Sequence, residues 1–138
     1  MRSFEPLEHT ADAGIRARAT TLAELLVACA EGMFALIVEG GQVRDATAIE
    51  IAVEADGPPD LVHAWLRELL WRFNGEGMVF ARYQVHEASE TAARATCLGE
   101  LFDPERHTGG VEIKAVTYHG LKVERRDGEW LAEVLFDI

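Results

Sequence analysis

Two aspartates far apart in the chain, Asp12 and Asp137, are the residues best suited to chemistry, because each falls on the polar parity of a segment that alternates as a strand does. Ile138 follows Asp137. If the native chain ends there, a free main-chain carboxylate stands beside an aspartate side chain. Oxygen anions that close repel one another unless a cation or hydrogen-bond donors lie between them. Donors that are all oxygen suit a hard cation such as Ca²⁺, Mg²⁺ or Mn²⁺, and not zinc. Lys114, one of only two lysines with Lys122, can pair with such carboxylates or meet a partner's phosphate. Plainer readings stand beside this one. Chain termini are commonly solvated, and His9-Thr10-Ala11-Asp12 makes an ordinary turn held by Asp and Thr side chains.

These residues need a sheet to hold them. At the end of the chain, Asp127-Gly128 between two alternating runs predicts a two-residue hairpin turn. Counting back from that turn, Arg126 faces Glu129, Val123 faces Ala132, Leu121 faces Val134 and His119 faces Phe136. His119 then has core parity, while Tyr118 lies across from Asp137 on the face that carries Lys114. Gly120 is the one place where a bulge would break this parity. Near the start, Ala13, Ile15, Ala17 and Ala19 alternate with Gly14, Arg16 and Arg18, which reads as a half-buried strand. If that strand neighbours the last one, Asp12 and Asp137 project from one face.

Two helices supply the cover. Thr21-Leu22-Ala23-Glu24 is a capping box that opens an amphipathic helix with an apolar stripe from Leu22 to Ile37, ended by Gly40-Gly41. Pro58-Pro59 opens a second, with Leu61, Val62, Trp65, Leu66, Leu69, Leu70 and Phe73 as its buried stripe and Asn74-Gly75 as its end. His63 falls off that stripe and His107 in a loop, so both are expected to be solvated. Strands are predicted over Thr47 to Asp56, Met78 to Glu87 and Thr91 to Phe102. The predicted architecture is α+β, a mostly antiparallel sheet of about six or seven strands with two helices packed on one face. It forms a single domain spanning 1–138.

The bulk properties narrow the function. A chain of 138 residues, 49% hydrophobic and 27% charged, is globular. No apolar run reaches membrane-span length and no signal-peptide core is present, so a cytoplasmic protein is expected. Cys29 and Cys97 lie in apolar surroundings and read as buried free thiols. A net charge of −11 opposes approach to phosphates, which argues against an autonomous RNA or DNA binder. Phosphate-binding glycine loops, His-Glu-x-x-His, Cys-x-x-Cys and Gly-x-Ser-x-Gly are all missing, and the five histidines have no metal spacing.

Three ordered motifs give the chain a likeness. His9-Thr10-Ala11-Asp12-Ala13-Gly14-Ile15 before a capped helix, Leu66-x-x-Leu69-Leu70-x-x-Phe73 running into Glu76-Gly77-Met78-Val79-Phe80, and Glu112-Ile113-Lys114-Ala115-Val116-Thr117-Tyr118-His119-Gly120-Leu121 with Val134-Leu135-Phe136-Asp137-Ile138 together resemble the archease family. The loop Thr108-Gly109-Gly110-Val111 departs from it, since a more polar or lysine-bearing run is expected there. The resemblance implies an accessory protein of the RtcB-type RNA ligase in tRNA splicing and RNA repair, and not an enzyme. The ligase itself becomes guanylylated from GTP on a histidine, and the accessory protein promotes that step and multiple turnover. By the same resemblance the metal ligands are Asp12, Asp137 and Ile138, the functional lysine is Lys114, and Ca²⁺ is the first-choice metal. A role on a tRNA-modifying enzyme such as a tRNA methyltransferase is the alternative the family also suggests. An autonomous metal-dependent hydrolase is a third reading, for which no general base or nucleophile is evident.

Overall fold

A computed structural model describes residues 1–8 and 13–138. In chain order the elements are β1 (Arg2–Glu8), β2 (Ala13–Ala19), α1 (Leu22–Ile37), β3 (Val38–Gly40), β4 (Thr47–Glu54), α2 (Pro58–Glu76), β5 (Met78–Ala88), β6 (Ala92–Leu101), β7 (Thr108–Gly109), β8 (Ala115–Val116), β9 (Lys122–Arg126) and β10 (Glu129–Asp137). The fold is α+β, as its pattern of elements predicts, and every described strand pairing is antiparallel. The strands divide into separate sheets where one was expected. The main sheet runs β1-β2-β10-β8, with β9 also on β10; β4-β6-β5 form a second sheet, and β3-β7 a two-stranded ribbon. The chain leaves β6 at Phe102, turns through Pro104 to Arg106, and pairs Thr108-Gly109 with the strand after α1.

Both helices form for the reasons legible in their sequence. Thr21 Oγ1 accepts the Glu24 N–H at 3.1 Å, satisfying one of the orphan donors of the first turn of α1. Leu22, Leu25, Leu26, Cys29, Met33 and Ile37 are buried as the stripe predicts. Leu61, Val62, Trp65, Leu66, Leu69 and Leu70 do the same for α2, with Phe73 half-buried, and the fully buried Trp65 donates its indole N–H to the Leu26 carbonyl at 2.8 Å and so ties the two helices together. α2 runs past Asn74-Gly75 to Glu76. Gly77, at φ 78°, takes the left-handed position, and its N–H reaches the Arg72 and Phe73 carbonyls. The terminator is therefore the next glycine along, because that is where the backbone turns left-handed.

His107 is buried, not solvated. The Asp103 N–H donates to its Nδ1 at 2.9 Å, so the proton sits on Nε2, which faces the Gln42 carbonyl and Glu100 Oε2, each at 3.1 Å. Glu100 also accepts from the Arg44 N–H and pairs with Arg106. These contacts, Arg106 first and the Arg44 N–H next, pull the Glu100 carboxyl down to about 2. The imidazole thus fastens the 102–108 loop to β6, a role visible only once those segments meet. Cys29 and Cys97 are free and buried, and burial pushes both thiols up to about 12.

Candidate functional site

The closing hairpin forms as its turn chemistry dictates. Asp127 at φ 54° and Gly128 at φ 78° give the two left-handed residues of a tight turn. Arg126 pairs with Glu129 and Val123 with Ala132. Beyond Lys122 the ladder breaks. Residues 117–121 leave the sheet with Gly120 at φ 66°, and pairing resumes with Val116 opposite Phe136 and Ala115 opposite Asp137. Tyr118 therefore does not lie across from Asp137, and His119 is exposed and not on the core side. The interruption falls at Gly120, the residue where a break in parity was anticipated. Its physical cause is the positive φ, which a continuous strand cannot contain.

Lys114 reaches the end of β10 through its backbone, its N–H donating to the Asp137 carbonyl at 2.7 Å. Buried Ile113, just before β8, and Val116 within it, with buried Phe136 on β10, hold the two segments against the core. Lys114, Asp137 and Ile138 remain exposed, the last at 49%. Thr117 closes the junction, donating both its N–H and its hydroxyl to the Leu135 carbonyl at 3.1 Å.

The outer edge of this Lys114 segment is held by a helix where a sheet would place another strand. His63, expected to be solvated, is buried, and its Nε2–H donates to the Val116 carbonyl at 2.9 Å. The carbonyl can only accept, which fixes the proton on Nε2. Asn74 Nδ2 donates to the Ile113 carbonyl at 3.2 Å. Tyr118, lifted out by the excursion, stacks on His63 with ring centroids 3.9 Å apart and planes 11° apart. Sequence reasoning missed His63 and Asn74 in these roles. A signal existed for the first: His63 lies three residues before Leu66 and seven before Leu70, on a face that helical spacing shares with them.

Asp12 lies outside the described residues, as do His9, Thr10 and Ala11. β2 and β10 are neighbours, and their ladder runs from Trp130–Ala19 to Phe136–Ala13. Among the described residues no group of three or more His, Cys, Asp or Glu side chains gathers as a metal cluster. The donors present at the strand end, the Asp137 carboxylate and the main-chain oxygen of Ile138, are of the oxygen-only kind that a hard cation accepts. No helix among the described residues is long and apolar enough to cross a membrane.

This arrangement of helices over antiparallel sheets defines a structural class that already has solved members. The solution structure of Methanobacterium thermoautotrophicum protein 1598 superimposes with a TM-score of 0.76 at 29% identity, covering 98% of each chain. The crystal structure of a Thermotoga maritima archease, described as a possible chaperone, shares the fold with a TM-score of 0.62 at 24% identity over 97% of this chain and 96% of that one. The chain belongs to the archease family: residues 4–138 match the model of the Archease protein family (MTH1598/TM1083). It is 41% identical to the protein archease of Methanopyrus kandleri over 98% of this chain and 99% of that one, and 39% identical to that of Pyrococcus furiosus over the whole of both.

Proposed function

We propose that this protein is an activator of a GTP-dependent, RtcB-type RNA ligase in tRNA splicing and RNA repair, acting in the cytoplasm and doing no covalent chemistry of its own. Membership of the archease family along nearly the whole chain carries the reading. The geometry supports it: a lysine-bearing segment is fastened to the strand that ends in Asp137-Ile138, with all three side chains open to a partner. Asp137, a main-chain oxygen of Ile138 and Asp12 would hold the metal, Ca²⁺ before Mg²⁺ or Mn²⁺, and direct contact with RNA is weak or absent. A divalent cation there supplies positive charge to phosphate oxygens when bound. Lys114 neutralises charge on the nucleotide or balances the carboxylates, and the hydrogen bond to Asp137 keeps its backbone in place while the ligase docks.

The test is ligase guanylylation with labelled GTP, using the cognate ligase with and without this protein. The native chain is expected to stimulate it, and Asp137→Ala to abolish stimulation while circular dichroism and melting remain those of the native fold. A variant extended past Ile138 by a short tag separates a terminal carboxylate from a main-chain carbonyl: loss with the tag assigns the carboxylate. Full stimulation by Asp137→Ala would remove the metal-site account. No stimulation by the native chain of an active ligase would remove the ligase role. It would favour the second reading, a chaperone-like modulator of a tRNA-modifying enzyme such as a tRNA methyltransferase.

A further inference from the structure

The outward face of β1, β2, β10 and β9 is a lattice of charge whose rungs the register fixes. One rung runs Glu5, Arg16, Glu133, Lys122, alternating in sign at every step. Arg16 holds Glu133 at 2.9 Å and Glu5 at 3.1 Å, so this rung neutralises itself. The next runs Ser3, Arg18, Leu131, Glu124, and the alternation fails: where Arg16 meets Glu133, Arg18 meets an apolar residue. Glu124 turns instead to Arg126 at 2.7 Å and lies 3.8 Å from Lys122. Between these rungs is a groove of about 220 Å³ in which Arg16, Arg18, Lys122 and Arg126 stand against Glu124 and Glu133. Four cations against these two carboxylates and Glu5, which Arg16 also holds, leave it one positive charge, in a chain whose net charge is −11.

We propose that this groove binds a phosphate monoester. The positive surplus attracts a phosphate monoester, the guanidinium fork of Arg18 matches two of its oxygens, and Lys122 supplies a point charge across β10. Leu131 gives the carbon side of the ester an apolar surface. The net field of the protein repels anions, so binding here requires placed cations and cannot come from general attraction. The groove sits on the β9 half of β10, and Asp137 lies six residues further along the strand, roughly 20 Å away. It is therefore a separate site, and it does not rest on the metal-site reading.

The test is an amide NMR titration of the full chain with ribose 5-phosphate, with sodium acetate and sodium chloride run at matched ionic strength. Saturable shifts are expected at Arg18, Leu131 and Lys122 with the phosphate monoester alone. The double variant Arg18→Gln with Lys122→Gln, both exposed and so expected to melt as the native chain does, should bind at least about tenfold more weakly. Shifts that match those of chloride, equal saturation by acetate, or unchanged affinity in the double variant would each overturn the proposal.

Discussion

Replacing His63 with leucine tests the idea that helix α2 does the work of a missing strand. The Nε2–H bond to the Val116 carbonyl is lost, which leaves a buried acceptor without a donor and costs about 1–3 kcal/mol. The stack with Tyr118 goes as well, a further ~0.5–1.5 kcal/mol. The sum, about 1.5–4.5 kcal/mol, corresponds in a chain of this size to a fall in melting temperature of roughly 5–15 °C. His63→Gln separates the two contributions, because the glutamine amide nitrogen stands about where the imidazole Nε2 stands and keeps the donor. It should lose only the stacking part, about 0.5–1.5 kcal/mol. Urea unfolding gives the two energies, and hydrogen exchange at the Lys114 amide gives the local consequence. That amide bonds to the Asp137 carbonyl, so its protection should fall in His63→Leu and hold in His63→Gln. Equal destabilisation by the two substitutions, or unchanged Lys114 protection in His63→Leu, would refute the reasoning.

Glu100→Gln should destabilise the protein at neutral pH. The native carboxyl is held down to about 2 against an ordinary 4.5, so its contribution is complete above 4.5 and is lost as pH falls through about 2. Urea melts of both proteins across this range should show the gap closing toward pH 2, and a gap that stays constant would contradict the assignment. Gly99→Ala should cost more than about 2 kcal/mol, since its Cβ would sit 1.9 Å from the Val79 carbonyl oxygen at the point where β5 bulges against β6. Melting within about 1 °C of the native protein would show that the two strands separate more easily than their packing indicates.

Local patterns made most of the fold legible. Period-two alternation located β2, β4 and β10, strands were also placed over β5 and β6, helical spacing located α1 and α2, and Asp127-Gly128 set the register of the closing hairpin as far as Lys122. What stayed hidden depends on contacts between distant segments. The excursion at residues 117–121 needed a positive φ at Gly120, and sequence could name the residue without deciding whether the strand ran through it. His63 and His107 looked like solvated histidines because their burial comes from the 113–118 segment in one case and from β6 and Gln42 in the other. Asp137 and Lys114 were picked out correctly as exposed residues near one another, though the parity used to join them was wrong. What joins them is a backbone hydrogen bond.

The three edges of the main sheet are blunted in three different ways. An open edge offers a row of unpaired amides and carbonyls on which another chain can build. On β1 the row is interrupted by Pro6, which has no N–H to give. β9 carries Lys122, Glu124, Arg125 and Arg126 among its five residues, so a strand laid beside it would meet charge at nearly every position. Along β8 and the residue before Lys114, the outward carbonyls of Val116 and Ile113 are already taken by His63 and Asn74. The side chains that fasten the candidate site therefore also keep its strand from recruiting a neighbour, and loosening them would expose an aggregation-prone edge beside the residues proposed to engage the ligase.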